Sequence, residues 1–136
     1  RAVSKAFAGF GVKTKGLVVA DGSGLSHDNR VTARQIVSLL HGVRSKDYYK
    51  VFKDSLPVAG IDGTLKKRFV SRKTLVGKVS AKTGYISGVS ALSGYVQKGK
   101  TVWSFSILCN SFPARSLSRA KKLQEDIVNI LYSSMP

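Results

Sequence analysis

The residues of this chain best suited to chemistry are Lys82-Thr83-Gly84, at the end of an alternating segment that predicts a β-strand. A lysine ammonium and a threonine hydroxyl held on a rigid strand can bind an anionic group. A glycine beside them keeps the strand edge open for an extended ligand. The three residues therefore predict a binding site, and the alternative explanation is an ordinary strand end that runs into a turn.

Other residues of chemical interest have simpler explanations. The loop Asp21–Ser26 predicts a structural turn near the cleft in which a ligand would bind. Asp62 in a glycine-rich stretch predicts a turn or a cap. His27 is expected in a surface loop, and Cys109 is expected as a small buried hydrophobic residue. Tyr85 is the aromatic residue that we consider for ligand contact. A single cysteine excludes an internal disulfide, and two histidines disfavour a metal site, so we expect no metal and no cofactor.

The chain is strongly basic, with 23 lysines and arginines against seven acidic residues in 136 residues, a formal charge of +16. No acidic residue occurs between Asp62 and Glu125, where thirteen bases accumulate. Such a surface attracts polyanions, whether nucleic acid, an anionic membrane or the anionic polymers of a cell envelope. With 43% hydrophobic residues the chain is not disordered, and no apolar run is long enough to span a membrane.

The first half of the chain predicts helices and loops. Apolar spacing predicts an amphipathic helix over residues 2–10, and residues 17–20 predict a short extended segment. Thr32 is a plausible N-cap for a second helix, which ends near Gly42. Ser45 is expected to cap a third helix, which stops before Pro57 and is followed by a glycine-rich loop and a basic stretch.

The second half predicts an antiparallel sheet followed by a helix. Alternating patterns predict strands over 78–83, 89–96 and 101–108, with a hairpin loop at 97–100. Apolar spacing after Pro113 predicts a final helix that covers the sheet. The fold class is therefore α+β, with an N-terminal helical part and one domain over residues 1–136 without an internal boundary.

Several blocks of this sequence occur together in a known family. The blocks, in order, are Asp21–Ser26, Asn29–Thr32, Ser55–Leu65, Ala81–Gly84 and Gly88–Tyr95. Together they strongly resemble the C-terminal part of the D-alanyl-D-alanine carboxypeptidase/endopeptidase family, the low-molecular-mass class C penicillin-binding proteins. The closing strand and helix also resemble that family, so the resemblance covers essentially the whole chain and implies part of the penicillin-binding, serine β-lactamase-like transpeptidase fold.

The resemblance implies a serine acyl transferase of the bacterial envelope that cleaves peptidoglycan stem peptides and is acylated by penicillins. In such enzymes the serine of S-x-x-K is the nucleophile, and the serine of S-x-N relays a proton. Of the three motifs only the third is present here. Lys82 and Thr83 would bind the substrate carboxylate, and Gly84 would leave space for the substrate beside the strand. The Tyr85 N–H would donate to the oxyanion.

The sequence departs from the family pattern in two respects. No S-x-N occurs, and the one S-x-x-K, Ser118 to Lys121, comes after Lys82-Thr83-Gly84, where Ser118 reads as a capping residue. We therefore expect the nucleophile and relay motifs upstream of Arg1, and the isolated chain to be inactive. The implied partners are a peptidoglycan peptide or a β-lactam and the upstream part of the same enzyme, in a periplasmic or extracytoplasmic setting.

Two alternatives remain at this stage. The first is a non-catalytic basic module that binds nucleic acid or another polyanion, whereas the peptidase interpretation implies no specific nucleic acid partner. Trp103 and Phe105 alternate with serines, which indicates core positions of a half-buried strand rather than base-stacking platforms. The second is a β-lactamase relative or a non-catalytic ligand-binding homologue. Because three strands make a small sheet, we also expect the strand Thr101–Leu108 to pair with another segment or molecule.

Overall fold

The computed structural model describes residues 2–136. Four α-helices and one sheet follow in the order that the sequence predicts. The helices are α1 (Ala2–Gly9), α2 (Ala33–Val43), α3 (Tyr49–Asp54) and α4 (Leu117–Ser134), and the strands are β1 (Val79–Ile86), β2 (Val89–Lys98) and β3 (Thr101–Asn110). Three short 3-10 turns lie at Gly63–Leu65, Lys73–Leu75 and Ala114–Ser116. The predicted α+β class is confirmed.

The sheet is antiparallel in the order β1-β2-β3, joined by two tight turns. Gly88 and Gly99 in these turns have φ of +74° and +57°, a region that glycine adopts without steric cost. Within β2, Gly94 lies opposite Ala81, and a Cβ at Gly94 would come within 2.6 Å of the Ala81 Cα. Glycine is therefore required there for β1 and β2 to approach each other.

Helices cover both faces of the sheet. On one face, Val96 and Phe105 pack with Val128 of α4 in the main core. On the other face, Tyr95 packs with Leu40 of α2 and donates a hydrogen bond of 2.8 Å to its carbonyl oxygen. Burial raises the pKa of Tyr95 to about 12, so its hydroxyl stays protonated as this bond requires. The sheet is thus the middle layer between α4 and the N-terminal helices.

The irregular chain between α3 and β1, which we call the edge segment (residues 57–78), lies along the outer edge of β1. The Ala59 N–H donates to the Val79 carbonyl, and the Ala81 N–H donates to the Pro57 carbonyl, each at 2.9 Å. Three apolar side chains anchor the segment, because they are completely buried. They are Leu65, Phe69 and Leu75.

A buried arginine connects the edge segment to α4. The Arg68 guanidinium, 8% exposed, donates to the Glu125 carboxylate and to the Lys121 carbonyl, both at 2.8 Å. It also donates to Gln124 at 3.2 Å, and Gln124 in turn donates to the Ser90 hydroxyl of β2 at 3.2 Å. This network therefore links the edge segment, α4 and the sheet through satisfied polar groups.

One of the predicted helix caps is confirmed, and two are wrong. Thr32 is the predicted N-cap, and it forms a capping box with Gln35. Ser45, however, does not cap α3, because its hydroxyl donates to the Gly42 carbonyl and α3 begins later, at Tyr49. Ser118 is likewise not a cap, since α4 begins at Leu117 and Ser118 is its second residue.

Most of the core predictions are confirmed. Phe105 is 4% exposed, and Trp103 packs against the same core, so neither side chain is a free stacking surface. Cys109 is half-buried rather than fully buried, because it lies on the last strand of the sheet, near its end. The helix α1 forms as predicted, yet none of its residues is buried against the rest of the described chain.

The outer edge of β3 has no strand partner among residues 2–136. A groove of about 590 Å³ runs beside it, between α2 and β3, and the Arg44 guanidinium donates to the Val102 carbonyl at 2.9 Å. Pairing of this edge with another segment or molecule stays a prediction.

The Arg68 network gives a prediction for stability. Replacing Arg68 by Met removes one partner of a buried ion pair and leaves the Glu125 carboxylate with only the Phe69 N–H, at 3.3 Å, as a donor among the described residues. We expect the free energy of unfolding to fall by about 3 kcal/mol, measured by denaturant unfolding of the purified protein.

Two controls make this test specific. Lys122→Met breaks the exposed ion pair with Asp126 and should cost less than about 1 kcal/mol. Adding Glu125→Leu to Arg68→Met should recover part of the loss, because no unpaired charge then remains. Equal losses for Arg68→Met and Lys122→Met would show that the network does not hold the edge segment.

Candidate functional site

The outer edge of β1 changes from closed to open between Ala81 and Thr83. Ala81 still donates to Pro57, the first residue of the edge segment, and no residue of that segment forms a backbone hydrogen bond with Thr83. Alternate residues of an antiparallel strand direct their backbone groups to the same side, so the N–H and C=O of Thr83 and Tyr85 also face outward. No backbone group within residues 2–136 pairs with them, and an extended ligand can add to this edge as a strand.

An ammonium and two hydroxyls gather where the edge opens. The exposed Lys82 side chain donates to the Thr83 carbonyl at 2.8 Å and forms no salt bridge with any described residue. The Thr83 hydroxyl lies 2.9 Å from the hydroxyl of Thr64, in the first 3-10 turn of the edge segment. Positive charge and hydroxyl donors at the end of an open edge suit a carboxylate.

Gly84 is a glycine that the fold itself does not require. Its φ lies outside the left-handed region, and an added Cβ would meet only the Cβ of Ala91, at 3.4 Å. Neither backbone conformation nor packing therefore explains the absence of a side chain. Clearance for a ligand at the strand edge is a sufficient reason, which supports the sequence prediction for this residue.

A cleft of about 650 Å³ lies beside the open end of β1. Gly84 and Tyr85 form part of one wall. The other wall includes Ser26, His27 and Arg30 from a loop that we call the cleft loop, residues 20–30. His27 is exposed, as predicted for a surface loop, but the tertiary structure brings it to the cleft.

The cleft loop is organised around the carboxylate of Asp21. Three consecutive backbone N–H groups donate to this carboxylate at distances of 3.1–3.2 Å, and they belong to Gly24, Leu25 and Ser26. Two backbone hydrogen bonds between Val18 and Arg30, both of 2.9 Å, close the base of the loop. The predicted structural turn near the cleft is therefore confirmed.

Side chains complete the partners of Asp21. The Ser23 hydroxyl donates at 2.6 Å and the Asn29 amide at 2.7 Å. These hydrogen bonds from Ser23 and Asn29 hold the pKa of the Asp21 carboxyl well below its usual range. The charged form is thus the one that shapes the loop.

The structure brings together some sequence-predicted residues and separates others. Lys82, Thr83, Gly84 and Tyr85 share the open edge of β1, and Gly84 and Tyr85 also line the cleft opposite the cleft loop. Ser118 lies on α4, which contributes no residue to the cleft lining. Thr64 was not predicted as a site residue, because it lies in a glycine-rich stretch that reads as a loop. Asp62 beside it accepts from the Val58 N–H at 2.7 Å, which confirms its predicted role in a turn.

Residues 2–136 contain neither a metal-binding cluster nor a membrane-spanning helix. No group of three or more acidic, histidine or cysteine residues is arranged to hold a metal ion. No helix in that range combines the length and apolar character needed to cross a bilayer.

The Asp21 arrangement gives a prediction about the cleft loop. Asp21→Asn removes the charge that three backbone N–H groups share, so their hydrogen exchange should accelerate by about tenfold or more. Because the folded pKa is lowered, this stabilisation is present above the ordinary value of 3.8 and is lost only as the pH falls well below it. Exchange measured by NMR across this range checks both statements.

Asp28→Asn is the matched control, since Asp28 lies in the same loop and its carboxylate accepts no hydrogen bond within the described chain. Its exchange rates should equal those of the unmodified protein. Equal protection in Asp21→Asn would show that the carboxylate does not organise the loop.

This chain is similar to known proteins along most of its length. Residues 1–133 match the D-Ala-D-Ala carboxypeptidase 3 (S13) family. A D-alanyl-D-alanine carboxypeptidase of Actinomadura sp. is 48% identical over 114 residues, which is 79% of this chain and 21% of that protein. Carboxypeptidase DacB of Mycolicibacterium smegmatis is 33% identical over 107 residues, 74% of this chain and 23% of the relative.

Solved structures show the same fold. Penicillin binding protein 4 (dacB) from Haemophilus influenzae superposes with a TM-score of 0.84 at 26% identity, over 96% of this chain and 31% of that chain. A predatory endopeptidase from Bdellovibrio bacteriovorus, in complex with an immunity protein, superposes at 0.77 with 22% identity, over 96% and 35%. The chain spans about a fifth of its curated relatives and a third of these structures. It belongs to the D-Ala-D-Ala carboxypeptidase S13 family.

Proposed function

We propose that this chain is the C-terminal part of a serine-type D-Ala-D-Ala carboxypeptidase/endopeptidase, which acts on peptidoglycan stem peptides and binds β-lactams. The observation that carries the proposal is the open edge of β1, where Lys82-Thr83-Gly84 follows the closed stretch that ends at Ala81. Family membership supports the reaction class. The open edge of β1 supports the proposed role of this chain in the reaction, which is to bind the C-terminal end of the substrate.

Each residue of the edge has a separate role in this proposal. The Lys82 ammonium and the Thr83 hydroxyl bind the terminal carboxylate by charge-assisted hydrogen bonds. Gly84 leaves space for the ligand backbone, since a side chain there would enter the cleft. The Tyr85 N–H faces the outer edge and is placed to donate to the oxyanion that forms when the carbonyl is attacked.

The nucleophile is proposed to lie in a part of the enzyme that precedes this chain. Within the 136 residues no serine stands two places before an asparagine, and the one S-x-x-K begins with Ser118 on α4, away from the cleft. A site that binds a carboxylate without a nucleophile holds its ligand but does not acylate. Residues 1–136 would then be one part of the catalytic domain, without an internal boundary, and inactive when isolated.

Penicillin binding and location extend the same proposal. One structure of the Haemophilus influenzae protein is a complex with a β-lactam, and it is 27% identical to this chain with a TM-score of 0.83. A β-lactam carries a carboxylate beside its reactive carbonyl, which matches the donors on the β1 edge. An enzyme that cleaves peptidoglycan acts outside the cytoplasm, so we propose a periplasmic or extracytoplasmic location.

The proposal predicts the effect of removing the Lys82 ammonium in the whole enzyme. Lys82→Ala should slow covalent labelling by a fluorescent penicillin about 100-fold, because the charge that binds the carboxylate is lost. The thermal unfolding temperature should stay unchanged, since the side chain is exposed and has no ion-pair partner among residues 2–136.

Lys78→Ala is the matched control for this measurement. Lys78 is also an exposed lysine, but it lies just before β1, and its carbonyl accepts a hydrogen bond from Gln97 of β2. Labelling of Lys78→Ala should equal that of the unmodified enzyme. The proposal fails if the whole enzyme is not labelled, or if Lys82→Ala is labelled at the same rate as Lys78→Ala.

A further inference from the structure

We propose that Thr64 is a positioning residue, which orients the Thr83 hydroxyl and marks the end of the open edge where the substrate carboxylate binds. This inference rests on the proposed function and adds a residue that no motif assigns. The observation behind it is the distance of 2.9 Å between the two threonine hydroxyls, which are 19 residues apart in sequence.

The backbone around Thr64 is held firmly enough to position a side chain. Leu65, the next residue, is completely buried, and its carbonyl accepts from the Gly60 N–H at 3.0 Å. On the other side, Asp62 accepts from the Val58 N–H at 2.7 Å. Thr64 itself is exposed, so its hydroxyl stands at the surface on a fixed turn.

The hydroxyl pair matches what a carboxylate needs. A hydroxyl has one proton to donate and two lone pairs, whereas a carboxylate only accepts. Without a ligand the Thr83 hydroxyl donates to Thr64. When a carboxylate binds, the Thr83 proton turns to it and the Thr64 hydroxyl donates to Thr83 in turn, so that the two bonds strengthen each other. Without Thr64 no second hydroxyl would support the hydrogen bond from Thr83 to the carboxylate.

Thr64 also lies where the free edge begins. The edge segment covers β1 at Val79 and Ala81 by backbone hydrogen bonds, and Thr64 reaches the next outward-facing residue, Thr83. A ligand strand on β1 therefore cannot continue past Thr83 towards Ala81. Its last group, the terminal carboxylate, is placed beside the Thr64–Thr83 pair and the Lys82 ammonium.

The test compares two peptides with the whole enzyme, one ending in a free D-Ala-D-Ala carboxylate and one with that carboxylate amidated. The measured quantity is the ratio of their kcat/KM values. Thr64→Val and Thr64→Ala should each lower this ratio about 3- to 10-fold, through slower turnover of the carboxylate peptide alone. Thr64→Ser keeps a hydroxyl and should retain the ratio of the unmodified enzyme.

Thr74→Val is the matched control, because Thr74 is the exposed middle residue of the second 3-10 turn and its side chain forms no hydrogen bond within residues 2–136. Its ratio should be unchanged. If the unmodified enzyme prefers the carboxylate peptide but Thr64→Val and Thr64→Ala keep the same ratio, this proposal alone is overturned. If the unmodified enzyme hydrolyses neither peptide, the proposed function is overturned as well.

Discussion

The buried guanidinium of Arg68 is the interaction on which the rest of the site depends. It binds Glu125, Gln124 and a carbonyl of α4, and so holds an irregular segment whose own backbone hydrogen bonds form mostly short local turns. Because that segment is fixed, its first residues can pair with β1 as far as Ala81 and then stop. The polar network therefore helps to hold the segment that covers β1 as far as Ala81.

The use of acidic residues inside the fold also explains the charge of the surface. Five of the seven acidic residues accept hydrogen bonds from partners within the chain, where they hold turns, helices and the edge segment. The lysines of the acid-free stretch are then left largely without acidic partners. Among them Lys82 is distinguished by position rather than by charge, because it alone stands at the opening of a strand edge.

Several features of the site could be predicted from sequence, and others could not. The strand, the Lys82-Thr83-Gly84 motif and the turn at Asp21 depend on residues close together in sequence, so local patterns are enough. The contact between Thr64 and Thr83 spans 19 residues and follows no periodicity, and the turn that carries Thr64 is irregular. The predicted start of α3 was wrong for a different, local reason, because the Ser45 hydroxyl donates to the Gly42 carbonyl at the end of α2 instead of capping α3.

By itself, the sequence determined the order of the elements, the faces of the strands and the family to which the chain belongs. Alternation and helical spacing act over a few residues, and they are encoded directly in residue type. Only the tertiary structure decided which part of the β1 edge is covered, which loop faces Gly84 across the cleft and which hydroxyl meets Thr83. The covered part of the edge and the contact of Thr64 depend on long-range packing, here the burial of Leu65 in the core and the contacts of Arg68 with α4. The chemical groups of the binding site therefore come from residues close together in sequence, whereas its shape depends on contacts between distant segments.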